Sequence, residues 1–354
     1  MSDLHVSVVR PEQEADFEAW HRVLVEADRH ALGDASCTWT LPELRLGHAT
    51  PPPLPSQRDV GYAGRLGGPG GEIVCAGMIT FPLRSHLTSA EVWVSVLPAH
   101  QRRGHGSAML ARLAADAAAE GRTLLQGEAG WAWSHGADPT GTPAHGFATA
   151  HGFELGLGDV QRVLRGQVPV DVLDALVAEA AERHEGYDVR VVVGALPDDL
   201  VRGYLALDGT LMTEAPAGTM TREAVPVDVD ACRAREALNA AQGRTTYHAL
   251  ALAPPDAGDP AGEREVVAYS TVVTTVHEPG RAYQWGTLVR RDHRGHRLGL
   301  AVKAANHRVL QERQPEVDRV VTWNADENAH MIAVNERLGF VPEARLGEYE
   351  KRGA

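Results

Sequence analysis

Hydrophobic and polar residues follow one another in two alternating regimes along this chain, and the whole succession occurs twice. Alternation at every second position predicts strands at residues 4–10, 90–97 and 123–126 and near 160–164. Apolar residues three and four apart predict an amphipathic helix from about 11 to 29. They predict another after Leu97, on which Leu110, Leu113 and Ala117 share one face. A helix near Pro42 precedes "PPPLP", which no helix interior accepts because proline lacks the amide donor. Two strands flank the turn "GGPGG", and a helix near 143–151 completes the first set.

In the second half a strand is expected at 189–193, with helices near 198–207 and 228–240. A hairpin turns at "PPDAGDPAGE", and a strand covers 283–289. A long helix then places Leu298, Val302, Ala305 and Val309 on one face. A strand at 320–323 and a helix from about 326, stopped by Gly339, follow.

The two halves are a repeat. "EIVCAG" starting at Glu72 matches "EVVAYS" starting at Glu265, and 265 − 72 = 193. Val96 and Val289, Gln101 and Arg294, and Gly106 and Gly299 keep the same spacing. "HGF" ending at Phe153 and "LGF" ending at Phe340 are separated by 340 − 153 = 187, so the second copy is six residues shorter there (193 − 187 = 6). These spacings predict an N-terminal domain at 1–166, a linker with a bridging helix at 167–186, and a C-terminal domain at 187–354. Each is expected to be α+β, a mixed and mostly antiparallel sheet flanked by helices.

Composition narrows the partners. The 354 residues are 44% hydrophobic and 23% charged, the balance of a soluble globular protein. No apolar run reaches the roughly 18 residues of a membrane span, and no secretory leader is expected at the N-terminus. The three cysteines, Cys37, Cys75 and Cys232, are far apart and read as reduced side chains of a cytoplasmic protein. A formal charge of −13 argues against nucleic acid, whose affinity rests on Lys and Arg meeting phosphates, and suits a cationic small molecule. No metal site is expected, and the protein is expected to be a monomer or homodimer.

The candidate chemistry lies in "VLPAHQRRGHGSAML" (96–110) and its copy "VRRDHRGHRLGLAVK" (289–303). Each reads as a strand end, a basic glycine-containing turn and a helix start. Glycines permit close backbone approach, and free amides at a helix N-terminus hold a diphosphate. Three other phosphate or nucleophile motifs are excluded: GxxxxGK[ST] is absent, Met109 stands where GxGxxG needs its third glycine, and Ser107 is followed by Ala108 and Met109 rather than completing GxSxG.

V-x-P-x-x-Q-R-R-G-x-G, here Val96, Pro98, Gln101–Gly104 and Gly106, resembles the coenzyme A loop of the GNAT acyltransferase superfamily. "NADENAHMIAVNERLGF" (324–340) resembles that family's later motif. Two such domains in one chain are similar to the tandem GNAT proteins of actinobacteria, a group that includes mycothiol synthase, in architecture only. The resemblance implies acetyl-CoA or another acyl-CoA as co-substrate and a small-molecule amine as acceptor. It implies that Gln101, Arg102, Arg103, Gly104, His105, Gly106 and Ser107 hold the pyrophosphate in the first copy, after Val96 has paired with the pantetheine arm. In the second copy the corresponding residues are Arg294, Gly295, His296, Arg297, Leu298 and Gly299, after Leu288 and Val289, with Asn328 nearby. His100, His105, His293 and His296 are expected at the loop rims.

Each copy departs from the family pattern in a different place. The first has Glu91, five residues before Val96, where the resemblance implies a general base. It has Ala148 where a tyrosine would protonate the leaving thiolate. The second has Gln284 at the spacing of Glu91, Asn335 at the tyrosine position, and Arg297 at the position of Gly104, where a negative φ is expected. Tyr349 and Glu348 near the chain end are candidates to reach the thioester, and Glu214 to bind an ammonium group. The family-like later motif favours the C-terminal half as the transfer site. The alternative is that one or both halves bind acyl-CoA without catalysis, as a sensor or scaffold.

Overall fold

The computed structural model describes residues 3–49, 51–255 and 264–353. The expected turn at "PPDAGDPAGE" falls largely on 256–263, outside the described residues. In chain order the elements begin with β1 (Leu4–Val9), α1 (Glu14–Leu32), α2 (Leu41–Gly47), β2 (Gln57–Leu66), β3 (Ile73–Pro82) and β4 (Ser89–Val96). Then come α3 (His105–Ala119), β5 (Leu124–Ala132), α4 (Pro143–Ala150), β6 (Glu154–Arg165), α5 (Val170–Ala181) and β7 (Asp188–Val193). The chain continues with α6 (Asp198–Asp208), α7 (Leu211–Glu214), α8 (Val229–Ala241), β8 (Arg244–Leu252) and β9 (Val266–Thr275). It ends with β10 (Arg281–Val289), α9 (Leu298–Arg313), β11 (Arg319–Ala325), α10 (Ala329–Arg337) and β12 (Val341–Arg352).

Local sequence accounts for most of these. In α1, Phe17, Trp20 and Val23 recur at helical spacing and are all buried. At α2, Thr40 and Glu43 form a reciprocal capping box that satisfies two otherwise orphaned amides. Strands β3 and β9 are buried on nearly every residue, because helices cover both faces.

The chain forms two compact units: Met1–Val160 with Ala217–Arg222 and Glu343–Ala354, and Gln161–Pro216 with Glu223–Pro342. These units differ from the expected division at 166 and 187. Strand β12 pairs antiparallel with β5 from Ala344↔Ala132 to Arg352↔Leu124 and joins the first unit. Residues 217–222 join it as well, while Gln161–Arg165 of β6 belong to the second. The bridging helix α5 belongs to the second unit, where it packs along α9. The reason is that strand pairing is a long-range choice. The alternation within β6 and β12 says which face is buried but not which neighbour is taken.

In the first unit the strand order is β1-β2-β3-β4-β5-β12-β6. Helix α1 covers one face through Phe17, Trp20 and Val23 against Ala63, Val74 and Ala76. Helix α3 covers the other through Met109, Leu113 and Ala117 against Ile79, Phe81 and Val92. Burying a side chain such as Leu113 contributes about 1.5–3 kcal/mol. In the second unit the order is β6-β11-β10-β9-β8-β7, with α6 on one face and α9 on the other. Each unit contains both kinds of pairing: β4–β5 and β10–β11 run parallel, while β1–β2, β2–β3, β3–β4, β5–β12, β7–β8, β8–β9 and β9–β10 run antiparallel. Among the described residues no helix is long and apolar enough to cross a membrane.

Candidate active site

Both parallel pairs come apart at the same place. Strands β4 and β5 pair through Ser89↔Leu124, Ala90↔Leu125 and Glu91↔Gln126, then separate, although both strands continue. Strands β10 and β11 part likewise after Gln284↔Thr322. Beyond these points each strand pair leaves a gap edged by backbone amides and carbonyls, so a ligand there could hydrogen-bond as a strand would.

The gap leads to the glycine turn. Each turn opens with a short 3-10 segment, Pro98–His100 or Arg291–His293. Gln101 Nε2 donates to Val96 O at 3.2 Å, and Arg294 Nε donates to Val289 O at 3.3 Å, which explains why either residue serves. Each turn has two left-handed positions, one filled by glycine and one by arginine, in opposite order. Arg102 (φ 62) and Gly104 (φ 83) correspond to Gly295 (φ 89) and Arg297 (φ 54). The expectation of a negative φ at Arg297 is thus overturned, since the turn needs the left-handed conformation there whatever the side chain. Gly106 is small for another reason: a Cβ would stand 3.1 Å from the Phe147 ring. His105 is buried rather than on the rim, and burial lowers its pKa. Ser107 Oγ and His151 Nε2 are 2.9 Å apart.

In the first unit, register places Asp59, Thr80, Glu91, Gln126 and Glu350 in one row across five strands, hence on one face. Glu128 and Glu348 lie opposite each other two residues on. Arg222 is lodged among these acids in an ion pair with Glu348, both side chains largely buried. Its segment is tied down by Glu350, which accepts from Thr221 N and Thr221 Oγ1, both at 2.8 Å. Burial raises the pKa of Glu91, Arg222 opposes the rise, and Asp59 adds to it. Desolvation raises the pKa of Glu128, the charge of Glu91 raises it further, and Arg222 opposes the rise.

Tyr349, expected to serve the C-terminal half, lies in the first unit. It stands opposite Gly127, projects to the α3 side, and is 2% exposed. Its hydroxyl is 2.9 Å from His145 Nδ1, and burial pushes its pKa up to about 12. Ala148, small where the resemblance implies a tyrosine, packs against the same cluster. A phenol from the last strand therefore occupies the side of the sheet where that tyrosine would stand.

The second unit is built differently. A one-residue bulge between Gln284 and Thr287 breaks the constant spacing. Through Thr80↔Glu91 and Val273↔Tyr283, the counterpart of Glu91 is Tyr283, and Gln284 faces the other side. Gln284 is buried and donates to Ser270 Oγ and Thr271 O. Register likewise makes Trp323 the counterpart of Glu128. Tyr283 and Trp323 stack with centroids 6.3 Å apart, so an aromatic pair stands where the first unit has two carboxylates. On the opposite face, buried Asn335 accepts from Lys303 Nζ at 2.6 Å and donates to Asn324. Asn328 caps α10 by accepting from Met331 N.

Glu214 does not stand open to an ammonium group, because Arg291 and Arg294 pair with it at 2.6 and 3.1 Å. With Leu288 it lines a cavity of about 760 Å³. Glu128, Arg222 and His145 were missed in the sequence. The first two carry no local motif, and only register and the inserted segment bring them to Glu91.

Comparison with known proteins gives the same architecture. No protein-family model matches the sequence, and no curated protein matches it. Among solved structures, the chain is similar to a tandem GNAT protein from the clavulanic acid biosynthesis pathway, with 25% identity, 99% of each chain covered and a TM-score of 0.76. It is similar in fold to a GCN5-related N-acetyltransferase from Sphaerobacter thermophilus, with 14% identity, 99% and 96% coverage and a TM-score of 0.63. It is also similar in fold to a putative acetyltransferase from Pyrococcus horikoshii, with 12% identity, 100% and 91% coverage and a TM-score of 0.56. By fold, the chain is a two-domain member of the GNAT superfamily.

Proposed function

We propose that the protein transfers an acyl group, in the simplest case acetyl, from acyl-CoA to the amine of a small cationic molecule, and that the first unit performs the transfer. One observation carries this reading: Glu91, the first glycine turn and Tyr349 meet around a single strand gap. This reverses the preference for the C-terminal half that its later motif suggested.

The residues of the first unit suit each step. The backbone of 101–107 and the start of α3, with Arg102 and Arg103, would hold the diphosphate. The pantetheine arm would enter the gap beyond Glu91 and hydrogen-bond to the unpaired edge of β4. An ammonium acceptor would be drawn to the face bearing Glu91 and Glu128, where Glu91 removes its proton directly or through water. The free amine attacks the thioester carbon, and the backbone amides of β4 stabilise the oxyanion. As the C–S bond breaks, Tyr349 on the other side of the sheet offers its O–H to the departing sulfur, with His145 behind it to restore the proton. Base and acid on opposite faces suit a thioester threaded between two strands.

The test is thiol release from acetyl-CoA with a panel of amines. Turnover should fall by about 10²–10⁴-fold in Glu91→Gln. No release above background with any amine or acyl-CoA would defeat the enzyme reading. For the second unit the non-catalytic reading is favoured by the Tyr283–Trp323 stack.

A further inference from the structure

The two turns share their backbone but differ in what faces them. In the first, neither Arg102 nor Arg103 has a carboxylate partner among the described residues. In the second, every nearby arginine is matched. Arg290 pairs with Glu265 and Asp292, and Arg291 and Arg294 with Glu214. Arg297, at the helix start itself, pairs with Glu179 at 3.3 Å and Glu182 at 3.5 Å.

Those last two acids come from the C-terminal end of α5, the helix that follows the first copy. Arg297 also donates to Glu179 O at 2.8 Å, and His296 Nδ1 is 2.9 Å from Arg183 O. Glu179 binds Arg337 at the end of α10 as well. Helix α5 is therefore fastened to the turn at the start of α9 and to the end of α10, with carboxylates and carbonyl oxygens directed at the turn's cations.

We infer that α5 is a built-in occupant of the second turn, which is thereby closed to coenzyme A, so that the chain takes up acyl-CoA at one of its two turns. A diphosphate entering there would have to displace two carboxylates and lie beside them, and like charges at such range repel. The filled faces of the second gap, Tyr283 with Trp323 and Lys303 with Asn335, point the same way independently. The count of one rests on the proposed function; the closure of the second turn does not.

Hydrogen exchange on the whole chain, with and without coenzyme A, tests both statements separately. Protection should appear in residues 98–107 and be absent from 291–299. Protection of 291–299 in the wild type overturns the inference. Absence of protection at 98–107 would instead count against the proposed function. Calorimetric titration of Glu179→Gln/Glu182→Gln gives the second arm, since glutamine keeps the shape and removes the charge. The variant should bind one more equivalent of coenzyme A than the wild type, or at least tenfold more tightly at the second turn. An unchanged count and affinity, in a variant whose circular dichroism matches the wild type, overturns the inference too.

Discussion

Replacing Lys303 by methionine should stabilise the second unit, by an amount that shrinks as the pH rises. Lys303 is 1% exposed, and Asn335 Oδ1 accepts from its ammonium group at 2.6 Å. Burial pulls its pKa from 10.5 down to about 7. The unfolded chain therefore holds the proton more tightly than the folded one. The penalty on folding is fullest below pH 7 and fades as the pH climbs to 10.5. That depression amounts to about 5 kcal/mol at pH 6 and about 2 kcal/mol at pH 9. Methionine matches the length of lysine, carries no charge and sets its thioether near Phe340, over whose ring the ammonium now lies at 5.7 Å. It leaves Asn335 Oδ1 without that donor, a loss of about 1–3 kcal/mol. The net expectation is a gain of about 2–4 kcal/mol at pH 6 and little change at pH 9. Urea unfolding followed by circular dichroism at the two pH values measures it. The neighbouring His307, with a pKa lowered to about 3 by burial, is present in both proteins and largely cancels. A variant less stable at pH 6, or a difference independent of pH, would refute the assignment of a costly buried ammonium.

Tyr349→Phe should lower kcat by about 10²-fold while leaving the KM for acyl-CoA nearly unchanged; an unaltered kcat would remove Tyr349 from the chemistry. Arg222→Met removes the cation that opposes the raised pKa of Glu91 and Glu128. The acidic limb of the kcat/KM profile should therefore move to higher pH, and a stationary limb would separate Arg222 from the base. Arg102→Gly should weaken coenzyme A binding without lowering the melting temperature, because glycine relieves about 1–2 kcal/mol of left-handed strain. A large fall in melting temperature would show that Arg102 serves the fold instead. Gly127→Ala would press a Cβ to within 2.8 Å of Val92 O just where the strands part, so both stability and kcat should drop.

The sequence by itself determined most of the elements, the repeat and the two glycine turns, because each is written locally; the final strand, β12, was not among those expected. Period-two and helical spacing fix the strands and helices, and the turn residues 101–107 lie within one short stretch. It also placed Glu91 beside the first turn. It misassigned Gln284, because one bulged residue changes the face of a strand without leaving a gap in the repeat. It also put Tyr349 with the wrong half. The tertiary structure decided which sheet received β12, that Arg222 lodges among the acids of the first unit, and that α5 covers the second turn. Those outcomes depend on strand pairing and charge pairing between residues far apart in the chain. Their energies are set by neighbours that local pattern cannot specify. A phosphate turn can thus be read from a dozen residues, whereas the base and acid that would serve it come together only when the last strand of the chain pairs with β5.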